Sequence, residues 1–271
     1  MSTAAGDDTD PQELTRILED LYKRYHRRAY VHPDPVEFLY GYENPADREI
    51  AGLVAASLAY GRVTQILKSV SSVLAPMGPS PSHYLEHTTK KELLRTFRHF
   101  KHRFSTGEEL AELLAGIRRV IHTYGSLYAC MKHHLDESEN TIVPALTLFV
   151  EELRAECTSS CNSLLPLPAA GSACKRLNLY LRWMVRRDGV DVGDWEDIPP
   201  SKLVVPLDTH MHRTSIALGF TKRSQANMKT ALEVTASFRT IAPADPVRYD
   251  FVLTRPGIWK YAGLAGMLPE I

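Results

Sequence analysis

Cysteine is scarce in this chain: Cys130, Cys157, Cys161 and Cys174 are the four in 271 residues. None of their spacings is the paired CxxC of a zinc site, so a zinc ribbon or finger is excluded and reduced thiols are the simplest account. Cys157 and Cys161, one helical turn apart, read as two incidental thiols. Charge of one sign is also lacking, because Lys+Arg and Asp+Glu are both 32. A strongly basic nucleic-acid surface is therefore not written into the total, and only the placement of the charges can supply one. No cationic-apolar leader segment and no apolar run of bilayer length occurs, which points to a soluble cytoplasmic protein without membrane partners. No segment alternates with period two, and no glycine-rich strand-to-helix loop or internal repeat is present.

What is there is helical periodicity. Hydrophobic residues make up 44% and charged residues 24% of the chain, enough for one sizeable core. Residues 1–10 are small and acidic and are expected to be a disordered start, with a single domain over 11–271. From Pro11 to Tyr30, Leu14, Ile17, Leu18, Leu21, Tyr22 and Tyr25 recur on one helix face. Asn44 reads as an N-cap, with Pro45 at the first helical position, Asp47 and Glu49 in the first turn, and Gly61 as the stop. Arg62 opens the next helix, which ends at Gly78. Further helices are predicted at Glu108–Thr123, Ser126–Leu135 and Asn140–Ala155, and after a broken connection at 164–171 from Lys175. Ser224 is expected to cap a helix carrying Met228, Leu232, Thr235 and Phe238, and Asp245-Pro246 to start the last one. The fold class is all-α.

Two residues at helix starts carry the chemistry. Lys175 follows Gly171-Ser-Ala-Cys and opens a helix with Leu177, Tyr180, Leu181, Met184 and Val185 on its apolar face. An ammonium is disfavoured beside the positive end of a helix dipole, and a neutral amine is a nucleophile for an electrophilic sugar carbon. Asp208 follows Leu203-Val-Val-Pro-Leu and precedes the helix Thr209–Leu218. A cap alone accounts for an aspartate there; a carboxylate kept ionised at a helix N-terminus also stabilises a sugar cation.

The segment Val205-Pro-Leu-Asp208-Thr-His210-Met-His-Arg213 resembles the catalytic-aspartate motif of the helix-hairpin-helix DNA glycosylases, the endonuclease III and 8-oxoguanine glycosylase superfamily. Gly171-Ser-Ala-Cys-Lys175 is similar to the glycine-x-glycine-x-lysine of that family's hairpin, with Ala173 in place of the second glycine. Ala59-Tyr60-Gly61-Arg62-Val63-Thr64 resembles the loop that the 8-oxoguanine branch inserts into the duplex. The chain also resembles, over nearly its whole length, a bacterial family of conserved hypothetical proteins.

The resemblance implies two helical lobes with a helix-hairpin-helix and a cleft between them. It implies a DNA N-glycosylase, with AP-lyase activity in prospect, excising a damaged base such as an oxidised purine. Lys175 takes the nucleophile's place and Asp208 the catalytic carboxylate's. Tyr60, Gly61, Arg62, Gly171, Ser172, Arg176, His210 and Arg213 become the expected DNA contacts. The family's iron–sulfur cluster needs cysteines beyond Cys174, so no cluster, metal or other cofactor is expected. The alternatives are a glycosidase of a modified nucleoside or RNA on the same fold, and a non-catalytic helix-hairpin-helix DNA-binding protein.

Supporting groups are read with both meanings open. Arg176, Arg182, Arg186, Arg187, Arg213, Lys222, Arg223 and Lys229 either hold phosphates or are solvated helix faces. Tyr60 and Arg62 either wedge into the gap left by a flipped base or pack and pair within the fold. Trp183 and Phe220 either stack on a base or pack in the core, with core packing the expectation for each. His210 either orients Asp208 or is buried and hydrogen-bonded, and His133-His134 reads as surface, with no metal site.

Overall fold

The computed structural model describes residues 11–155, 157–158 and 162–255. The expectation for 1–10, the partner of Cys157 at Cys161, and the end of the domain beyond 255 lie outside the described residues. The described chain is predominantly helical. In order it runs α1 (Pro11–Tyr25), α2 (Pro45–Ser57), α3 (Val63–Leu74), α4 (Pro81–Glu86), α5 (Lys90–Thr96), a two-stranded hairpin of β1 (Lys101–His102) and β2 (Ser105–Thr106), α6 (Gly107–Tyr124), α7 (Leu127–His133), α8 (Val143–Arg154), α9 (Lys175–Val185), α10 (Thr209–Ala217), α11 (Met228–Ile241) and α12 (Asp250–Leu253). No described helix is long and apolar enough to cross a membrane.

Local chemistry sets most of the boundaries. The Asn44 side chain accepts from the Ala46 amide with Pro45 at the first turn of α2, and α3 runs on through a 3₁₀ turn to Gly78, which takes φ 68°. Thr89 and Thr106 begin α5 and α6 with complete capping boxes to Glu92 and Glu109.

α2 is buried almost all round, including Ile50, Leu53, Val54 and the acidic Asp47 and Glu49, and it packs across α9. A helix of that kind belongs at the centre of a core rather than on its surface. α6 crosses α8 closely enough that a Cβ on Gly116 would sit 2.0 Å from the Leu153 carbonyl oxygen, so only glycine fits. Glu49 reaches from α2 to the start of α7, accepting from the Leu127 and Tyr128 amides at 2.8 and 3.2 Å and from the Trp195 indole at 2.9 Å.

Three expectations are corrected. The first helix ends at Tyr25, and 28–30 form a separate 3₁₀ turn. The helix assigned to a Ser224 cap begins at Met228, with Asn227 accepting from the Thr230 amide. Gly171 accepts from the Met228 amide, and the 172–227 bridge holds Asn227, just before the helix, in extended backbone. Asp245-Pro246 does not start the last helix, because Asp245 is held by Arg186 in a turn and α12 begins at Asp250.

Candidate active site

Lys175 is the first residue of α9, and the residue before it is forced. Cys174 lies in the left-handed region at φ 47°, without a side-chain cap, while its thiol is buried against Pro166. A non-glycine residue there stores backbone strain that the surrounding structure must hold, and such residues cluster at functional sites. Gly171 takes the left-handed conformation three residues earlier.

Asp208 caps α10. Its Oδ1 accepts from the Met211 amide at 2.8 Å, and its Oδ2 lies 3.7 Å from the Lys175 amine. One carboxylate oxygen is thus spent on the helix and the other faces the amine. Lys175 Nζ also lies 3.5 Å from the Ala59 carbonyl oxygen. The two side chains are 30% and 26% exposed, so neither is sealed and neither is free in bulk solvent.

The pair sits where two pockets meet. One, of ≈ 560 Å³, has apolar walls from Val63, Ile66, Leu179 and Pro206, the phenols Tyr25 and Tyr30 at one side, and Arg182 and Asp250 among its polar lining. The other, of ≈ 600 Å³, is lined by Tyr60, Gly61, Ser172, Arg176, His210 and the Cys174 turn. Ala59, Ile66, Lys175 and Asp208 line both. Volumes of this size suit a small ligand or a single nucleotide.

Of the residues singled out in the sequence, Tyr60, Gly61, Ser172, Arg176, His210, Lys175 and Asp208 therefore converge. Gly171, Arg62 and Arg213 are exposed and do not line either pocket. Tyr60 packs and pairs within the fold: its hydroxyl lies 2.9 Å from the His102 carbonyl oxygen and 2.7 Å from Ser105 Oγ. Arg176 is turned inward, donating to the Ser57 and Ser163 carbonyls at 2.6 and 2.5 Å with its guanidinium over the Tyr60 ring. Trp183 is in the core, and Phe220 packs edge-on to Phe238. His210 is half-buried with its Nδ1 unpartnered.

Both readings of Arg182 and Arg186, as phosphate ligands and as part of a solvated helix face, are overturned. Both are buried in a network of carboxylates: Arg182 pairs with Asp191 and Asp250, and Arg186 with Asp188, Asp191 and Asp245. Desolvating an arginine without partners is costly, and these aspartates supply the partners. Arg187, Arg213, Lys222 and Arg223 are exposed; Arg187 and Arg223 pair with Glu196 and Glu233.

Asp250 is the residue of the site that the sequence did not mark. One of its oxygens is bound by Arg182; the other, Oδ1, is buried without a hydrogen-bond partner. Burial pushes its carboxyl up to about 6, against the pull of Arg182 and with the further push of Asp208. The site thus holds two carboxyl groups in different environments, Asp208 partly solvated beside the amine and Asp250 buried behind it.

Two groups among the described residues have the makings of a metal site. His83, Glu86 and His87 bring exposed ligand atoms within 4.8 Å of one another on and just after α4. His26, Asp188 and Asp191 do so inside the arginine network, where Asp188 and Asp191 already pair with Arg186. Burial alone would raise the Asp188 carboxyl, but the His26 hydrogen bond and the Arg186 charge outweigh it and hold it far below its usual range.

The fold and site define a predominantly helical protein with a lysine–aspartate pair at the junction of two pockets. The chain belongs to the family described as protein of unknown function (DUF2400), whose model matches residues 34–259. No curated protein and no solved structure matches it.

Proposed function

We propose that this protein is a DNA N-glycosylase that excises a damaged base, with an oxidised purine the first substrate to test. The observation that carries the reading is the amine and carboxylate of Lys175 and Asp208 facing each other at 3.7 Å in a shared, solvent-reachable pocket. The walls of that pocket, the 59–61 loop and α3 on one side and α9 with the start of α10 on the other, are read as the surfaces between which a flipped nucleotide enters. The apolar side lined by Val63, Ile66, Leu179 and Pro206 takes the planar base.

Asp208 accepts a proton from the Lys175 ammonium, leaving a neutral amine. That amine attacks the sugar C1′ as the C1′–N bond breaks and its electron pair leaves with the base, which takes up a proton. Asp208 passes that proton on to the departing base, and the carboxylate so restored, held in place by its capping bond, meets the positive charge developing on the sugar. Ring opening of the C1′ adduct gives a Schiff base, the species from which strand cleavage by a lyase step proceeds.

Borohydride reduction of the protein mixed with lesion-bearing duplex DNA is expected to trap a covalent adduct, and Lys175→Gln is expected to abolish it. A normal adduct yield from Lys175→Gln removes the lysine from its role.

A further inference from the structure

The charge balance of the whole chain conceals a local excess. Residues 90–104 contain six basic residues (Lys90, Lys91, Arg95, Arg98, Lys101 and Arg103) against the single acid Glu92, interleaved with Phe97, Phe100 and Phe104. The structure makes this stretch α5, a connecting turn and the β1–β2 hairpin. Arg95, Arg98, Lys101 and Arg103 are all exposed, and among the described residues Lys101 and Arg103 have no carboxylate within ion-pair distance. Beside them runs a groove of ≈ 430 Å³ lined by Lys68, His99 and Lys101, with Gln65, Ser69 and Ser72 as further polar groups.

The hairpin tip is unusual in two respects. Its two-residue turn is Arg103-Phe104, with Arg103 in the left-handed region at φ 53°, where glycine or asparagine is far cheaper. Phe104 is 62% exposed, the most solvent-accessible of the large exposed hydrophobic side chains among the described residues. Its ring is nevertheless supported from beneath: it stacks on Tyr60 at 5.0 Å with 28° between planes, and the Arg176 guanidinium lies over the Tyr60 ring at 4.9 Å. Tyr60 is in turn tied to the hairpin through His102 and Ser105. A hydrophobic ring stacked on Tyr60 by one face and left open to solvent on the other suits stacking on a planar partner.

This tip adjoins the site. Arg103 Cδ would lie 2.9 Å from a Cβ on Gly61, and Tyr60 and Gly61 line the pocket that contains Lys175 and Asp208. We propose that the β1–β2 hairpin is a DNA-docking element in which Phe104 stacks on a base at an unpaired position while Lys101 and Arg103 hold the flanking phosphates. The cations supply attraction without sequence preference, and the ring supplies preference for a gap in the base stack. An acidic membrane surface would also attract the cations, but it does not account for the tip standing beside the pocket that holds Lys175 and Asp208. The proposal rests on the glycosylase reading for its choice of DNA, and it makes a separate prediction.

The test uses fluorescence anisotropy of the Lys175→Gln protein with two duplexes, one intact and one carrying a stable abasic-site analogue. Phe104→Ala is expected to weaken binding to the abasic duplex about tenfold, with intact-duplex binding and thermal stability unchanged and Phe104→Trp restoring the preference. Lys101→Glu with Arg103→Glu is expected to weaken binding to both duplexes and to lower the slope of log affinity against log salt by about two. Retention of the parent's full abasic-site preference by Phe104→Ala overturns the stacking role, as does binding to phosphatidylserine vesicles with no binding to either duplex. A Phe104-dependent preference without any borohydride adduct leaves this docking surface standing and removes the lysine chemistry; an adduct without Phe104 dependence does the reverse.

Discussion

Asp208 divides its carboxylate between two tasks: Oδ1 accepts the Met211 amide at the start of α10, and Oδ2 faces the Lys175 amine at 3.7 Å. The division makes the structural and chemical roles separable. Asn caps a helix about as well as Asp, so Asp208→Asn is expected to keep stability within about 0.5 kcal/mol of the parent. It removes the proton acceptor and the negative charge, so single-turnover base excision is expected to fall by roughly 10²–10⁴. Unchanged excision by Asp208→Asn reduces Asp208 to a cap.

Asp250 makes the pocket sensitive to pH. Its carboxyl titrates at about 6 in the folded protein, above the roughly 3.9 of an unfolded chain. Folding therefore favours the protonated form. The contribution to stability is complete below about pH 4 and is lost as pH rises through about 6. Asp250→Asn cannot ionise, so its stability relative to the parent is expected to improve by about 2–3 kcal/mol between pH 4 and pH 7. The groups acting on this carboxyl are Arg182 and Lys175 from α9 and Asp208 from the start of α10. Chemical denaturation of both proteins at the two pH values measures the difference; a flat difference means that Arg182 keeps Asp250 ionised throughout.

Arg186 is the hub of the buried charges, pairing at 2.8, 2.6 and 2.9 Å with Asp188, Asp191 and Asp245 while only 4% exposed. Arg186→Leu removes the shared cation and leaves those carboxylates facing one another. The expected cost is about 3–5 kcal/mol by denaturant titration. A cost below about 1 kcal/mol contradicts the network as a determinant of stability.

Glu49 serves three donors at once, the Leu127 and Tyr128 amides and the Trp195 indole. Glu49→Ala strands all three, and a buried donor without an acceptor costs about 1–3 kcal/mol, so a loss of about 3 kcal/mol or more is expected. Hydrogen exchange at Leu127 and Tyr128 is expected to accelerate, because these two amides at the start of α7 lose their acceptor. Unchanged exchange at those amides refutes the role of Glu49 as that acceptor.

Much of the helical framework was legible because its signals are local. Asn44-Pro45, Gly78 and Asp208 each mark a boundary within a turn of where it falls, since a cap needs only its own side chain and the next few amides. α4 and α5 escaped because six or seven residues are too few to show a period, and the hairpin because two-residue strands cannot alternate visibly. Ser224 and Asn227 are equivalent caps in isolation; the pairing of 172 with 227 chose between them.

The amino-acid order alone determined an α-helical chain, with a lysine opening one helix and an aspartate opening another, because propensity, capping and periodicity act over a few residues. Only the tertiary structure decided that the two helix starts share a pocket and that Arg182 and Arg186 turn inward to aspartates. It also decided that Asp250 lies behind the pair and that Phe104 stands outward on Tyr60. Those relationships join residues far apart in the chain, and they exist only once packing of α2 against α9 has fixed which side chains are desolvated together.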